Sequence, residues 1–246
     1  MKNFKLIVEY DGTAYAGWQR QKSDPTIQGA IEKAVHRISR QRVTVHGSGR
    51  TDAGVHALGQ TAHFECATRL DAAVLQKALN ALLPKDIVIR DCAEAPKTFH
   101  ARFDARAKTY RYRIDNRSTR PAIGRGYAWH IRKPLDLAAM AAALPHIRGT
   151  HDFKAFEGSG SPRSHTIRTV NRADLETGEN GRVVFEVNAN GFLRFMVRNL
   201  TGTLVEVGLG KLEPDEVGRI LFSGDRRQAG ATAPPHGLFL VEVQYE

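Results

Sequence analysis

Hydrophobic and polar positions alternate from the start of the chain. Phe4, Leu6, Val8 and Tyr10 take every second place, which predicts a strand over 4–10 with one apolar face, ended by Asp11-Gly12. Asp24-Pro25 offers a helix start, since proline suits the first helical turn. Ile27, Ala30, Ile31, Ala34, Val35 and Ile38 then recur at helical spacing. A short strand at 43–45 leads into Gly47-Ser48-Gly49. A further strand over 60–66 sets Ala62, Phe64 and Cys66 on one face. Asp71 caps a second helix through Val74, Leu75, Ala78, Leu79 and Leu82 to a stop at Pro84, and 87–89 is a fourth strand. The order is β-α-β-β-α-β, the signature of a split ferredoxin-like unit.

The second half is similar but more decorated. Strands are predicted over 105–115 and 127–131, then a helix capped by Asp136 that ends near Pro145. A hairpin over 166–175 and 183–187 turns around Gly178 and Gly181. Leu193, Met196, Val197, Leu200, Leu204 and Val207 trace a helical stripe, Pro214 opens one more helix, and 238–245 closes the chain as a strand. The expected fold class is therefore α+β: two ferredoxin-like halves, 1–96 and 97–246, with mixed or antiparallel sheets meeting at a central basic cleft.

Composition adds compartment and partner. With 41% hydrophobic and 25% charged residues, the 246-residue chain has globular character and enough length for a core without staples. Its 2 cysteines, Cys66 and Cys92, give no disulfide framework and no paired-cysteine metal knuckle, which fits a reducing compartment. No apolar run approaches the roughly 20 residues of a membrane span, and Met1-Lys2-Asn3-Phe4 opens no signal peptide. A soluble, cytoplasmic protein is expected. The net charge of +10 points to a polyanionic partner. From 98 to 133 there are 10 basic residues against 2 acidic ones, threaded by Phe99, Phe103, Tyr110, Tyr112, Tyr127 and Trp129. Basic groups hold phosphates and aromatic faces stack on bases, a mixture suited to RNA or single-stranded DNA; a strand edge guarded by charge is the plainer alternative. Alternation sets Lys108, Tyr110, Tyr112 and Ile114 on one face of that strand and Arg111 with Arg113 on the other.

Candidate chemistry concentrates at Gly47-Ser48-Gly49-Arg50-Thr51-Asp52-Ala53-Gly54-Val55-His56-Ala57. Its glycines allow a sharp turn that holds a carboxylate and a guanidinium two residues apart. The stretch lacks the Gly-Lys-Ser/Thr of a phosphate loop. For an isolated Asp-Ala-Gly, a turn in which Asp52 bonds the following amides is the simpler reading. A glycosidase pair of opposed carboxylates, a clustered metal site and a Gly-x-Ser-x-Gly elbow are each missing from the sequence. The segment from Gly158 to Ser161 reads as a loop whose Arg163, His165 and Arg168 could meet phosphate. Arg194 and Arg198 fall opposite the apolar stripe of their helix, either facing solvent or turned into a cleft beside a catalytic acid.

Together these segments resemble the tRNA pseudouridine synthase A family. The residues that carry the resemblance are Val8 to Thr13 with Gly17-Trp18-Gln19, Gly49 to Ala57, Ala107 to Tyr112, His151-Asp152-Phe153, Gly191-Phe192-Leu193 with Met196-Val197-Arg198, and Ala233-Pro234 with Gly237-Leu238. They run in family order through the whole chain; residues 157–165 depart from the family pattern. The resemblance implies isomerisation of uridine to pseudouridine in the anticodon stem-loop of tRNA, at tRNA positions 38 to 40. The glycosidic bond breaks, the uracil turns while held, and C5 rejoins the ribose. It implies Asp52 as the catalytic carboxylate, as nucleophile or as base, and Arg198 as its cationic partner. Tyr110 is implied to stack on the target base and take the C5 proton, and Arg50 to fill the space of the everted nucleotide. Arg111, Arg113 and Arg168 are the further expected RNA contacts. No metal and no cofactor is implied. The implied partners are tRNA and a second copy of the chain in a homodimer, with neither DNA nor membrane. A non-enzymatic RNA-binding module and a metal-dependent nuclease are the competing classes; a pure binder has no use for an acid near phosphates.

Overall fold

The computed structural model describes residues 1–158, 160 and 165–245, so Ser159, Ser161 and Arg163 of the expected phosphate loop lie outside the described residues. The fold is α+β with a mixed sheet, and the chain divides into two compact units, Met1–Arg106 with Phe239–Glu246, and Ala107–Leu238.

In the first unit, β1 (Lys2–Tyr10) buries Phe4, Leu6, Val8 and Tyr10, as the alternation predicts. Helix α1 (Ile27–Ser39) follows. Its cap is Thr26, whose side chain accepts from the Gly29 amide, so Pro25 lies just outside the helix and not in its first turn. Ile27, Ile31, Ala34 and Val35 form its buried stripe. The short strand β2 is His46–Gly47, not 43–45. The reason is tertiary: the Val45 amide donates to the buried Glu32 carboxylate on α1 at 3.0 Å, which removes it from any strand ladder. Strand β3 (His56–Cys66) starts four residues earlier than expected, inside the glycine-rich motif. Asp71 caps α2 (Ala72–Leu82), its carboxylate accepting from the Val74 amide, and β4 (Ile87–Ala95) completes the set.

The strands lie in the order β4-β1-β3, with β2 on the outer edge of β3, and every one of these pairs is antiparallel. The closing strand, β10 (Leu238–Gln244), pairs in parallel with the start of β3, Phe239 opposite His56. The segment after Pro96 also stays with this unit, which moves the division from the expected residue 96 to 106. Asn3 donates to the carbonyls of Pro96 and Phe99, the Ala101 amide donates to His63 Nδ1, and the Tyr245 hydroxyl donates to the Ala101 carbonyl. Lys5 lies over the rings of Phe99 and Tyr245. These partners are far apart in sequence, so no local pattern announces them.

The second unit is built on β5 (Ala107–Asp115), β9 (Arg182–Ala189), β8 (Ile167–Thr177) and β7 (Gly149–Asp152), antiparallel in that order. A two-residue strand, β6 (Trp129–His130), pairs in parallel with the end of β5. Helix α3 (Leu137–Ala143), capped by Asp136, packs against α4 (Met196–Gly208) and α5 (Pro214–Ser223). The predicted stripe of α4 is buried, but so are Asn199, Thr201 and Thr203, each fully enclosed. Gly202 allows this: a Cβ there would stand 1.7 Å from the Ala231 carbonyl oxygen, so the chain after α5 runs directly against the helix. No helix among the described residues is long and apolar enough to cross a membrane.

His63 gives the first unit an acid-sensitive point. Its ring is 6% exposed and lies 4.5 Å from the His100 ring and 5.0 Å from that of His46. Burial first, then His100 and His46, push its pKa down to about 4, with Asp104 opposing. A pKa below the unfolded value of about 6.5 means that the fold prefers the neutral ring. Its stabilisation is complete above about pH 6.5 and is lost as pH falls toward 4. Melting temperature measured by calorimetry is expected to fall across that window, and to fall less in His63→Gln, which keeps an acceptor but does not titrate.

Candidate active site

The turn that carries Asp52 is fixed from several directions, all within the first unit. Thr51 is buried, and its Oγ1 shares a 2.8 Å hydrogen bond with the Tyr10 hydroxyl at the end of β1. The Thr51 carbonyl accepts from the Trp18 amide at 3.1 Å. Behind it the Val55 amide donates to the Asp52 carbonyl, and the Gly54 amide donates to the Tyr15 carbonyl. Asp52 itself is half-buried and Arg50 is exposed. Burial pushes the Tyr10 phenol well above its usual range, so it stays protonated as a hydroxyl.

Two glycines make this packing possible. Gly17 has φ +94°, and a Cβ there would come within 2.5 Å of the Thr51 carbonyl oxygen. A Cβ on Gly12 would stand 2.0 Å from the Val55 carbonyl oxygen. The two loops therefore touch backbone to backbone on both sides of Asp52. The Trp18 ring covers Gly47, and Gln60 bridges the Ser48 hydroxyl and the Gly49 carbonyl, which orders the approach to Arg50. Further back, the buried Glu32 carboxylate holds Arg20 at 2.7 Å, accepts from Gln28, and so anchors the loop that follows Trp18.

In the second unit Tyr110 is 7% exposed and meets the Phe192 ring edge-on at 5.0 Å. Arg168 lies against Gly191, the residue before Phe192. Tyr112, on the same face of β5, is wholly buried and donates to the Pro234 carbonyl at 2.8 Å. Arg198 is half-buried rather than simply solvated. Its Nε donates to the Ala233 carbonyl at 2.7 Å, and its guanidinium lies 4.9 Å from the centre of the Phe195 ring. Phe195 has φ +62°, a backbone state that a bulky residue adopts only when its surroundings impose it. Gly158 presses on that ring and its amide donates to the Arg194 carbonyl, so the strained residue before α4 is held on both sides.

Arg111 and Arg113 project from the opposite face of β5 to Tyr110, as strand alternation requires. Arg111 is committed to Glu186 on β9, 2.8 Å away, and the same carboxylate binds Arg172. Burial, then Arg111 and Arg182, lower the pKa of Arg113. Part of the positive charge counted along this segment is thus neutralised on the sheet. Sequence reasoning missed Glu186, Glu32 and Phe195: an acid in a strand, an acid in a helix and a phenylalanine before a helix carry no local sign of their role.

A family model described as tRNA pseudouridine synthase matches residues 6–104 and 143–246. The chain belongs to the tRNA pseudouridine synthase family. Asp52, Arg50, Arg168 and Arg198 lie inside the matched stretches; Tyr110, Arg111 and Arg113 lie between them. Among similar proteins, tRNA pseudouridine synthase A of Geotalea uraniireducens (strain Rf4) is 48% identical over 246 residues, covering 100% of both chains. The protein of that name from Thermoanaerobacter sp. (strain X514) is 46% identical over 245 residues, again 100% of both. A solved H/ACA RNP bound to a substrate RNA containing 2'-deoxyuridine is 11% identical, with a TM-score of 0.36 over 97% of this chain and 45% of that one.

The close packing at Gly17 has a direct consequence for stability. Gly17→Ala is expected to cost about 2–4 kcal/mol, because it adds both a backbone clash and a strained φ. Gly126→Ala, where a Cβ meets open space, is expected to stay within about 0.5 kcal/mol. Urea unfolding of both variants measures the difference.

Proposed function

We propose that the chain isomerises uridine to pseudouridine in the anticodon stem-loop of tRNA, at tRNA positions 38 to 40, with Asp52 as the catalytic carboxylate. The observation that carries this is the family match over both long stretches, with Asp52 in a turn held by backbone contacts from two directions. A carboxylate is suited to the reaction because it can attack the ribose as a nucleophile or remove a ribose proton, and both require the ionised form. Arg198 is the cation proposed to keep it ionised. Its side chain is already oriented by the Ala233 carbonyl and the Phe195 ring, so little side-chain entropy remains to be lost.

Tyr110 is proposed to stack on the target base and to receive the C5 proton; Phe192 braces its ring from the edge. Arg50, exposed beside Asp52, is proposed to occupy the space of the everted nucleotide. Arg168 is the favoured phosphate contact of the second unit. Arg111 is the least favoured, because Glu186 already neutralises it. The finer fold belongs to the same proposal: two ferredoxin-like halves flanking a basic cleft, a reading supported in the first unit by the antiparallel order β4-β1-β3-β2. So do homodimerisation and a cytoplasmic location, on the family resemblance. The reaction as proposed leaves the redox state unchanged and recaptures its own leaving group, so it calls on no cofactor.

Asp52→Asn is expected to abolish tritium release from tRNA labelled at uridine C5 while tRNA affinity stays within about threefold. Retained turnover in that variant would sink the assignment. Arg168→Gln is expected to lower the slope of log affinity against log salt by about one unit, the signature of a lost phosphate contact. Arg111→Gln is expected to leave that slope unchanged and to lower the melting temperature, because it strips a partner from buried Glu186.

A further inference from the structure

His56 opens β3 and is almost wholly enclosed, 1% exposed, with its ring stacked on Phe239 at 4.8 Å. A buried imidazole needs partners for its polar atoms. The Gly12 amide donates to Nδ1 at 3.1 Å. Asp11 Oδ1 also stands 3.1 Å from Nδ1, but that oxygen already accepts from the Thr13 amide at 2.9 Å and the Thr13 hydroxyl at 2.6 Å. Asp11 is therefore supplied with donors from its own turn, whereas the bond to Gly12 requires a bare Nδ1. A neutral ring that accepts at Nδ1 carries its proton on Nε2.

What the imidazole holds is the strand end that seats against the Asp52 turn. Gly12 packs so closely on the Val55 carbonyl that no Cβ fits, and the Val55 amide closes the turn by donating to the Asp52 carbonyl. The contacts form a chain from His56 to Gly12, to Val55, to Asp52. Resting on the reading of Asp52 given above, we propose that His56 is a positioning residue for that carboxylate, acting as the Nδ1 acceptor that keeps Gly12 in place. Its effect falls on the rate of the bound complex rather than on tRNA affinity, because a shift of about 1 Å at a reacting group costs up to about 100-fold in rate.

Two variants separate the acceptor from the ring. His56→Phe keeps a ring that can stack on Phe239 and removes the acceptor; His56→Asn loses the ring and keeps an oxygen near the place of Nδ1. Tritium release under saturating tRNA is expected to fall about 10–100-fold in His56→Phe with KM within about threefold. His56→Asn is expected to keep kcat within about threefold while melting at a lower temperature. Equal rates in the two variants, or a faster Phe variant, overturn the proposal. Should either variant fail to fold, imidazole nitrogen NMR of the wild-type protein decides: the proton is expected on Nε2, and a proton on Nδ1 overturns it. Asp52→Asn in the same assay keeps the two readings apart. If it is inactive while His56→Phe keeps its full rate, only the role of His56 fails; if it is active, the reading of Asp52 fails and the role of His56 with it.

Discussion

At the turn carrying Asp52, two stretches of backbone touch with no side chain between them. Gly12 lies on the Val55 carbonyl and Gly17 on the Thr51 carbonyl. Contacts of this kind hold the backbone on either side of Asp52, because peptide groups have no rotamers to lose. The surrounding bonds follow from it. Once the loops are in contact, the amides of Trp18, Gly54 and Val55 must find acceptors, and each finds a carbonyl in the opposed loop or within the turn. The Tyr10 hydroxyl does the same for the buried Thr51 side chain. The absence of a Cβ at these two positions is thus the condition for a turn around Asp52 whose amides find their acceptors.

The second unit solves a related problem by strain. Phe195 takes a left-handed backbone conformation immediately before α4, and its ring is covered by Gly158 and approached by the guanidinium groups of Arg194 and Arg198. The conformation costs about 1–3 kcal/mol. It is sustained by a helix buried on nearly all sides, with Asn199 bonded to Phe156, Arg226 and Thr232. The same segment orients Arg198, whose Nε donates to the Ala233 carbonyl and whose guanidinium lies 4.9 Å from the centre of the Phe195 ring.

Charge behaves differently in three dimensions than along the chain. The basic run between residues 98 and 133 reads as a uniform attractor for phosphate. On the sheet, alternation divides it: Tyr110 and Tyr112 turn to one side, and Arg111 turns to the other, where Glu186 and Arg172 complete a bonded group. A count of arginines therefore overstates the field available to a nucleic acid wherever a strand neighbour supplies an acid.

Much of this was legible in the residues. Alternation in Phe4 to Tyr10, the buried stripes of α1 and α4, and the Asp71 and Asp136 caps are local, since period and capping depend on neighbours within a few positions. The Asp52 motif and the family to which the chain belongs are likewise written in consecutive residues. Other features were not: the withdrawal of Val45 from a strand by Glu32, the attachment of residues 97–106 to the first unit through His63 and Tyr245, and the neutralisation of Arg111. Each joins groups separated by 13 to 144 positions. The amino-acid order by itself determined which elements form and which chemical groups are present, because helix, strand and turn follow from short-range sterics and hydrogen bonding. Only the tertiary structure decided which charges are spent on one another and which backbone segments meet, because those choices depend on distances that folding creates.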